Sequence, residues 1–89
     1  MEERLTQEQL ATRLADAKTK VQIGARYEHY KKFTYVVKDV ALWEATNEPC
    51  VVYQAEYGAQ GTFIRPLAAW NEIVEVNGEQ IPRFRKIND

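Results

Sequence analysis

One histidine, one cysteine and four glycines occur in 89 residues, and these scarcities exclude several functions. A single cysteine, Cys50, cannot close an internal disulfide, so stability must come from packing and the chain suits a reducing compartment. With histidine and cysteine each present once, the commonest metal ligands are too few for a dedicated site. The carboxylates show no loop with calcium-ligand spacing. No glycine-rich phosphate loop is present, and no cofactor is expected. No run approaches the ~18 apolar residues of a membrane span, and Met1-Glu2-Glu3-Arg4 lacks the basic leader of a signal peptide. A cytoplasmic protein with no membrane partner is expected. The net charge is only −1, without the strongly basic total that accompanies most nucleic-acid binding.

What is present is the mixture of a folded domain, 45% hydrophobic and 28% charged. The length allows one domain with one small core. Two tryptophans, five tyrosines and three phenylalanines can fill that core, because each ring buries on the order of 150–250 Å².

Thr6-Gln7-Glu8-Gln9 reads as a capping box, in which the Thr6 hydroxyl accepts from the Gln9 amide and the Gln9 side chain returns to the Thr6 amide. Leu5 and Leu10 are placed as the accompanying hydrophobic staple. Leu10, Leu14, Ala17 and Val21 continue an apolar stripe at helical spacing. Residues 1–22 are therefore read as an N-terminal helix and its lead-in. The stripe must be covered, by the following domain or by a second copy of the chain, so a homodimer is a possible assembly.

From Gly24 onward β-branched and aromatic residues dominate, and six strands are predicted: 24–30, 33–44, 49–57, 62–65, 73–77 and 79–85. Asn77-Gly78 is a strong two-residue hairpin signal, placing Val74 opposite Ile81 and Arg83 opposite Glu72. Pro66 can open a single helical turn, with Leu67 and Trp70 on one side. Short strands, one helical turn before the last pair, and too little chain for a two-sheet sandwich predict a mainly β fold. The expected architecture is a small SH3-like antiparallel barrel over 23–89 with one N-terminal α-helix.

No catalytic constellation is complete. His29 alternates with Ala25 and Tyr27 on one side of the first strand, while Glu28 points to the other and cannot orient it. The reading of His29 is structural, hydrogen-bonded to a backbone carbonyl; an enzymatic role would need Glu56 or Asp39 brought near by folding. Cys50 has no local cation or helix N-terminus to activate it and reads as a small buried filler.

The remaining constellation is aromatic and basic. Tyr27, His29, Tyr30, Tyr53, Tyr57 and Arg65 form the candidate ligand-binding set, since rings offer rigid contact area and a guanidinium clamps carboxylate or phosphate bidentately. Their target would be a peptide or a small anionic ligand, recognised without catalysis. The same tyrosines can instead fill the core with hydroxyls at its rim, and the residues leave both readings open. An alternative is a nucleic-acid accessory protein using the stretch from Lys18 to Lys38, where six cations face Glu28 alone.

Several segments in combination resemble a known family. They are Gly24-Ala25-Arg26-Tyr27-Glu28-His29-Tyr30-Lys31, Tyr35-Val36-Val37, Val51-Val52-Tyr53, Tyr57-Gly58, Phe63-Ile64-Arg65-Pro66-Leu67, Val76-Asn77-Gly78 and Ile81-Pro82-Arg83-Phe84. Together they look like the bacterial family called domain of unknown function 1653, over about residues 21 to 87. The chain departs from that pattern at Lys32, where several members carry glycine. The resemblance implies an SH3-type barrel and brings no activity, ligand or catalytic residue.

Overall fold

The computed structural model describes residues 5–87. It is mainly β, with one principal helix, α1 (Gln7–Lys18), and a single helical turn, α2 (Leu67–Trp70). The strands are β1 (Arg26–His29), β2 (Thr34–Trp43), β3 (Glu48–Ala55), β4 (Thr62–Pro66), β5 (Ile73–Val76), β6 (Glu79–Pro82) and β7 (Phe84–Ile87). Five form an antiparallel sheet in the order β4-β3-β2-β1-β7, and β5 pairs with β6 alone.

α1 starts where its cap requires. The Thr6 hydroxyl accepts from the Gln9 amide at 3.1 Å, and the Thr6 amide donates to the Gln9 side chain at 2.8 Å. Only Ala17 of this helix is fully buried. The helix packs against β2 and β3, and Arg13 ties its outer side to the β2–β3 turn by donating to the Asn47 carbonyl at 2.9 Å.

The β2–β3 ladder contains a bulge between Val37 and Asp39, where Val37 pairs with Tyr53 and Asp39 with Val52. An extra residue reverses the in–out alternation of a strand. That reversal lets both Val37 and Val40, an odd number of positions apart, face the same core. The strand read as 33–44 is thus continuous in pairing but not in phase.

The final strand differs more. The run read as 79–85 is two strands, because the chain changes sheets at Arg83. Pro82 closes the β5–β6 ladder opposite Ile73 and has no amide to continue it. The Arg83 amide still donates back to the Glu72 carbonyl at 2.9 Å, but its own carbonyl accepts from the Tyr30 amide at 2.9 Å. Beyond it, β7 pairs with β1, His29 opposite Phe84. The hairpin itself has the expected register, with Val74 opposite Ile81. Asn77 (φ 53) and Gly78 (φ 82) supply the two left-handed residues that a type I′ turn needs.

One core cluster joins these parts: Ala17 and Val21 from the α1 region, valines and tyrosines from the sheet, Leu67 and Trp70 from α2, and Phe84 from β7. β4 and β7, the ends of the five-stranded sheet, are not hydrogen-bonded to each other, so among the described residues no closed barrel of strands is formed. No helix among them is long and apolar enough to cross a membrane.

Candidate functional site

Register decides which side chains share the core-bearing face of the sheet. Opposite residues in an antiparallel pair lie on the same face. Arg65 is paired with buried Val51 and Phe63 with buried Tyr53, so β4 turns a cation and a ring toward the same side as the core. Tyr35 pairs with both Tyr27 and Ala55, and His29 pairs with Phe84. The face therefore carries Arg65 at one end of the sheet and the His29–Phe84 pair at the other.

The sheet's curvature brings these ends together. The Arg65 guanidinium lies 5.7 Å from the Phe84 ring centre, and the His29 ring meets the same ring edge-on at 4.9 Å. Tyr53 and Tyr35 flank Phe84 at 5.8 and 5.9 Å. Phe84 is the shared floor on which β1, β2, β3 and β4 converge.

The six predicted site residues divide. Tyr27 and Tyr53 are core residues, 8% and 7% exposed. The Tyr27 ring abuts Trp70 at 5.3 Å, and its hydroxyl accepts from the Gln22 amide at 3.0 Å. Tyr57, by contrast, is 42% exposed, and its hydroxyl shares a 2.8 Å hydrogen bond with that of Tyr35. In such a pair one hydroxyl donates to the other, leaving one O–H proton for an outside acceptor. Tyr30 is half-buried, tilted against His29 at 4.5 Å, with the Arg83 guanidinium 5.8 Å from its ring centre.

Arg65 is half-buried, and its Nε is sealed from water without a hydrogen-bond partner. Among the described residues no carboxylate pairs with it. Arg83 also has a sealed Nε, but its Nη2 lies 3.3 Å from the Glu72 carboxylate. A half-buried cation lacking a counter-ion is unusual, because desolvation of a charge is costly unless something offsets it.

His29 accepts at Nδ1 from the Lys31 amide at 3.2 Å, so in the neutral ring the proton sits on Nε2. Its partner is thus a backbone N–H, and not the carbonyl expected from sequence, because the tight 29–33 turn directs the Lys31 amide back at the ring. Desolvation, and then the charges of Arg83, Arg65 and Lys31, hold its pKa below the ordinary value. The carboxylates proposed for an acid–base pair are engaged elsewhere: Glu56 bonds Arg26 at 2.9 Å, and Asp39 accepts from the Val40 amide at 2.8 Å. The Tyr35 hydroxyl is pushed up by burial first, then by its bond to Tyr57, while Arg65 pulls it partly back.

Sequence reasoning missed Tyr35, Phe84 and Arg83 as members of this assembly. Tyr35 could have been found by its period-two relation to Phe33 and Val37. Phe84 and Arg83 could not, because their placement depends on the change of sheet after Pro82.

Elsewhere, a hollow of about 470 Å³ is lined by the segment from Lys18 to Ile23 and by Tyr27; it includes neither Arg65 nor Tyr57. Lys20 there is paired with Asp16 at 3.2 Å. Cys50 is buried, and its thiol donates to the Glu48 carbonyl at 3.6 Å. Among the described residues no three histidine, cysteine or carboxylate side chains gather as metal ligands would.

A crystal structure of a protein of the same family from Bordetella bronchiseptica is similar to this chain, with 33% sequence identity, a TM-score of 0.66, and coverage of 72% of this chain and 85% of that one. No curated protein matches. The family model described as "Protein of unknown function (DUF1653)" matches residues 25–86, the whole stretch from β1 to the Lys86 position of β7 that builds the Arg65–Phe84 assembly, and the chain therefore belongs to the DUF1653 family.

Proposed function

We propose that the protein is a non-enzymatic, cytoplasmic binding module that recognises a peptide or small anionic ligand through Arg65 and the aromatic residues around it. The observation that carries this reading is the Arg65 guanidinium itself: it is set over Phe84, the ring that Tyr35 and Tyr53 flank, with no carboxylate partner among the described residues. An anion would provide the missing counter-charge, and charge-assisted bonds to a preplaced guanidinium are stronger and more directional than neutral ones.

The architecture that suits this role is SH3-like, a small barrel closed by side chains where strand pairing stops. Supporting it are the short strands, the single turn α2 between β4 and β5, and the contact of Arg65 on β4 with Phe84 on β7, which bridges the two sheet ends. The buried, unpaired Cys50 agrees with a reducing compartment.

In a ligand screen followed by NMR, Arg65→Ala should abolish saturable binding of acidic peptides and small anions while the thermal midpoint stays nearly unchanged. A large loss of stability instead assigns Arg65 to structure and ends the proposal.

A further inference from the structure

We infer that the Arg65 site takes a monocarboxylate carried on a flat, aromatic body. This deepens the reading above and rests on it. Charge matching is the first argument. Arg83 already faces Glu72, and His29 is kept from charging by burial and by its cationic neighbours. Lys31 is exposed, its ammonium 5.8 Å from the Tyr30 ring centre, so its charge is already met by water. That leaves one guanidinium without a counter-charge, and one unmatched positive charge calls for one negative charge. A phosphate monoester near its second ionisation brings close to two, and the second would be desolvated without a partner.

Geometry is the second argument. With Nε sealed, the donors Arg65 can turn outward are its two terminal nitrogens, a fork that matches the two oxygens of a carboxylate.

The third argument is what surrounds the charge. Phe33 and Phe63 are each 48% exposed, and Tyr57 is nearly as open. Phe33 and Tyr57 touch at 4.7 Å, and Phe63 leans on Tyr53 at 5.8 Å. Phe63, two residues from Arg65 on the same face of β4, offers an apolar wall to a flat ligand and nothing to a well-hydrated ion.

Titrating the isotopically labelled full chain with benzoate, acetate, benzamide and phenyl phosphate tests the inference by NMR at neutral pH. Benzoate should saturate, with a dissociation constant about tenfold or more below those of acetate and phenyl phosphate, the size of one good charge-assisted contact or one ring contact. Phe63→Ala, which removes an exposed ring and no polar group, should weaken benzoate several-fold and leave acetate unchanged. If phenyl phosphate binds as well as benzoate in an Arg65-dependent way, the carboxylate assignment is overturned while anion recognition stands. Benzamide matching benzoate would show that the ring alone is read, which also overturns it. If none of the four shifts resonances around Arg65 and Tyr57, both this inference and the anion-recognition reading fall.

Discussion

Trp70 and Phe84 stack face to face, their ring centres 3.8 Å apart and their planes 5° from parallel. Trp70 belongs to the single turn opened by Pro66, and Phe84 is the first residue after the chain changes sheets. The stack therefore clamps the connection out of β4 to the strand that returns to β1. It also sets the height of the surface on which Arg65 and His29 rest.

Replacing Phe84 should consequently injure the fold and the site together. A buried aromatic cut back to alanine costs about 3–5 kcal/mol through lost contacts and the cavity left behind. For a domain of this size that is a large part of the total stability. Phe84→Ala should lower the chemical-denaturation midpoint steeply, whereas Phe63→Ala, removing a half-exposed ring, should shift it far less. Equal losses in the two variants would mean that Phe84 is not the shared floor.

Lys32 is held at φ 78 in the turn between β1 and β2, where the Lys32 amide donates to the His29 carbonyl at 2.7 Å. A side chain in this left-handed region costs about 1 kcal/mol that glycine does not incur. Lys32→Gly should therefore raise stability by a few tenths to about 1 kcal/mol, the gain being reduced by the greater freedom of glycine in the unfolded chain. Gly78→Ala, at φ 82, should move the denaturation midpoint the other way.

Local chemistry made much of this fold legible. The α1 cap, the Asn77-Gly78 hairpin with its register, the Glu72–Arg83 pairing and the Leu67/Trp70 turn all depend on residues within a dozen positions of one another. Two features depend on distant ones. The β2 bulge is visible only when Val40 must join Val37 against a core supplied by other elements. The break at Arg83 exists because β1 offers β7 a free edge some 55 residues earlier in the chain. For the same reason, the candidate site was half legible. Arg65 and Tyr57 stand out as residue types, but Tyr27 and Tyr53 belong to the core, a distinction set by the packing of Trp70 that period-two alternation alone does not reveal.

Cys50 should be silent toward thiol reagents in the native protein. Burial, and then the charge of Glu48, push its pKa up, so the reactive thiolate is scarce as well as covered. An aromatic disulfide reagent should label it slowly, at a rate that tracks unfolding when denaturant is added. Fast stoichiometric labelling without denaturant would show that β3 opens locally.

His29 links stability to pH with a definite sign. Its folded pKa lies below the ordinary 6.5, first through burial and then through Arg83, Arg65 and Lys31. The unfolded chain thus binds a proton more readily than the native one. The native state has its full advantage from this residue above pH 6.5 and loses it progressively as pH falls through the folded value; protonation also removes the Nδ1 acceptor for the Lys31 amide. Midpoints measured from neutral to mildly acidic pH should fall for the wild type and fall less for His29→Gln, the difference between the two curves narrowing toward acid. An anion seated on Arg65 would cancel part of the repulsion, so saturating benzoate should flatten the wild-type curve while leaving that of His29→Gln nearly parallel to its ligand-free one. Identical slopes for wild type and variant would show that His29 does not feel those three cations.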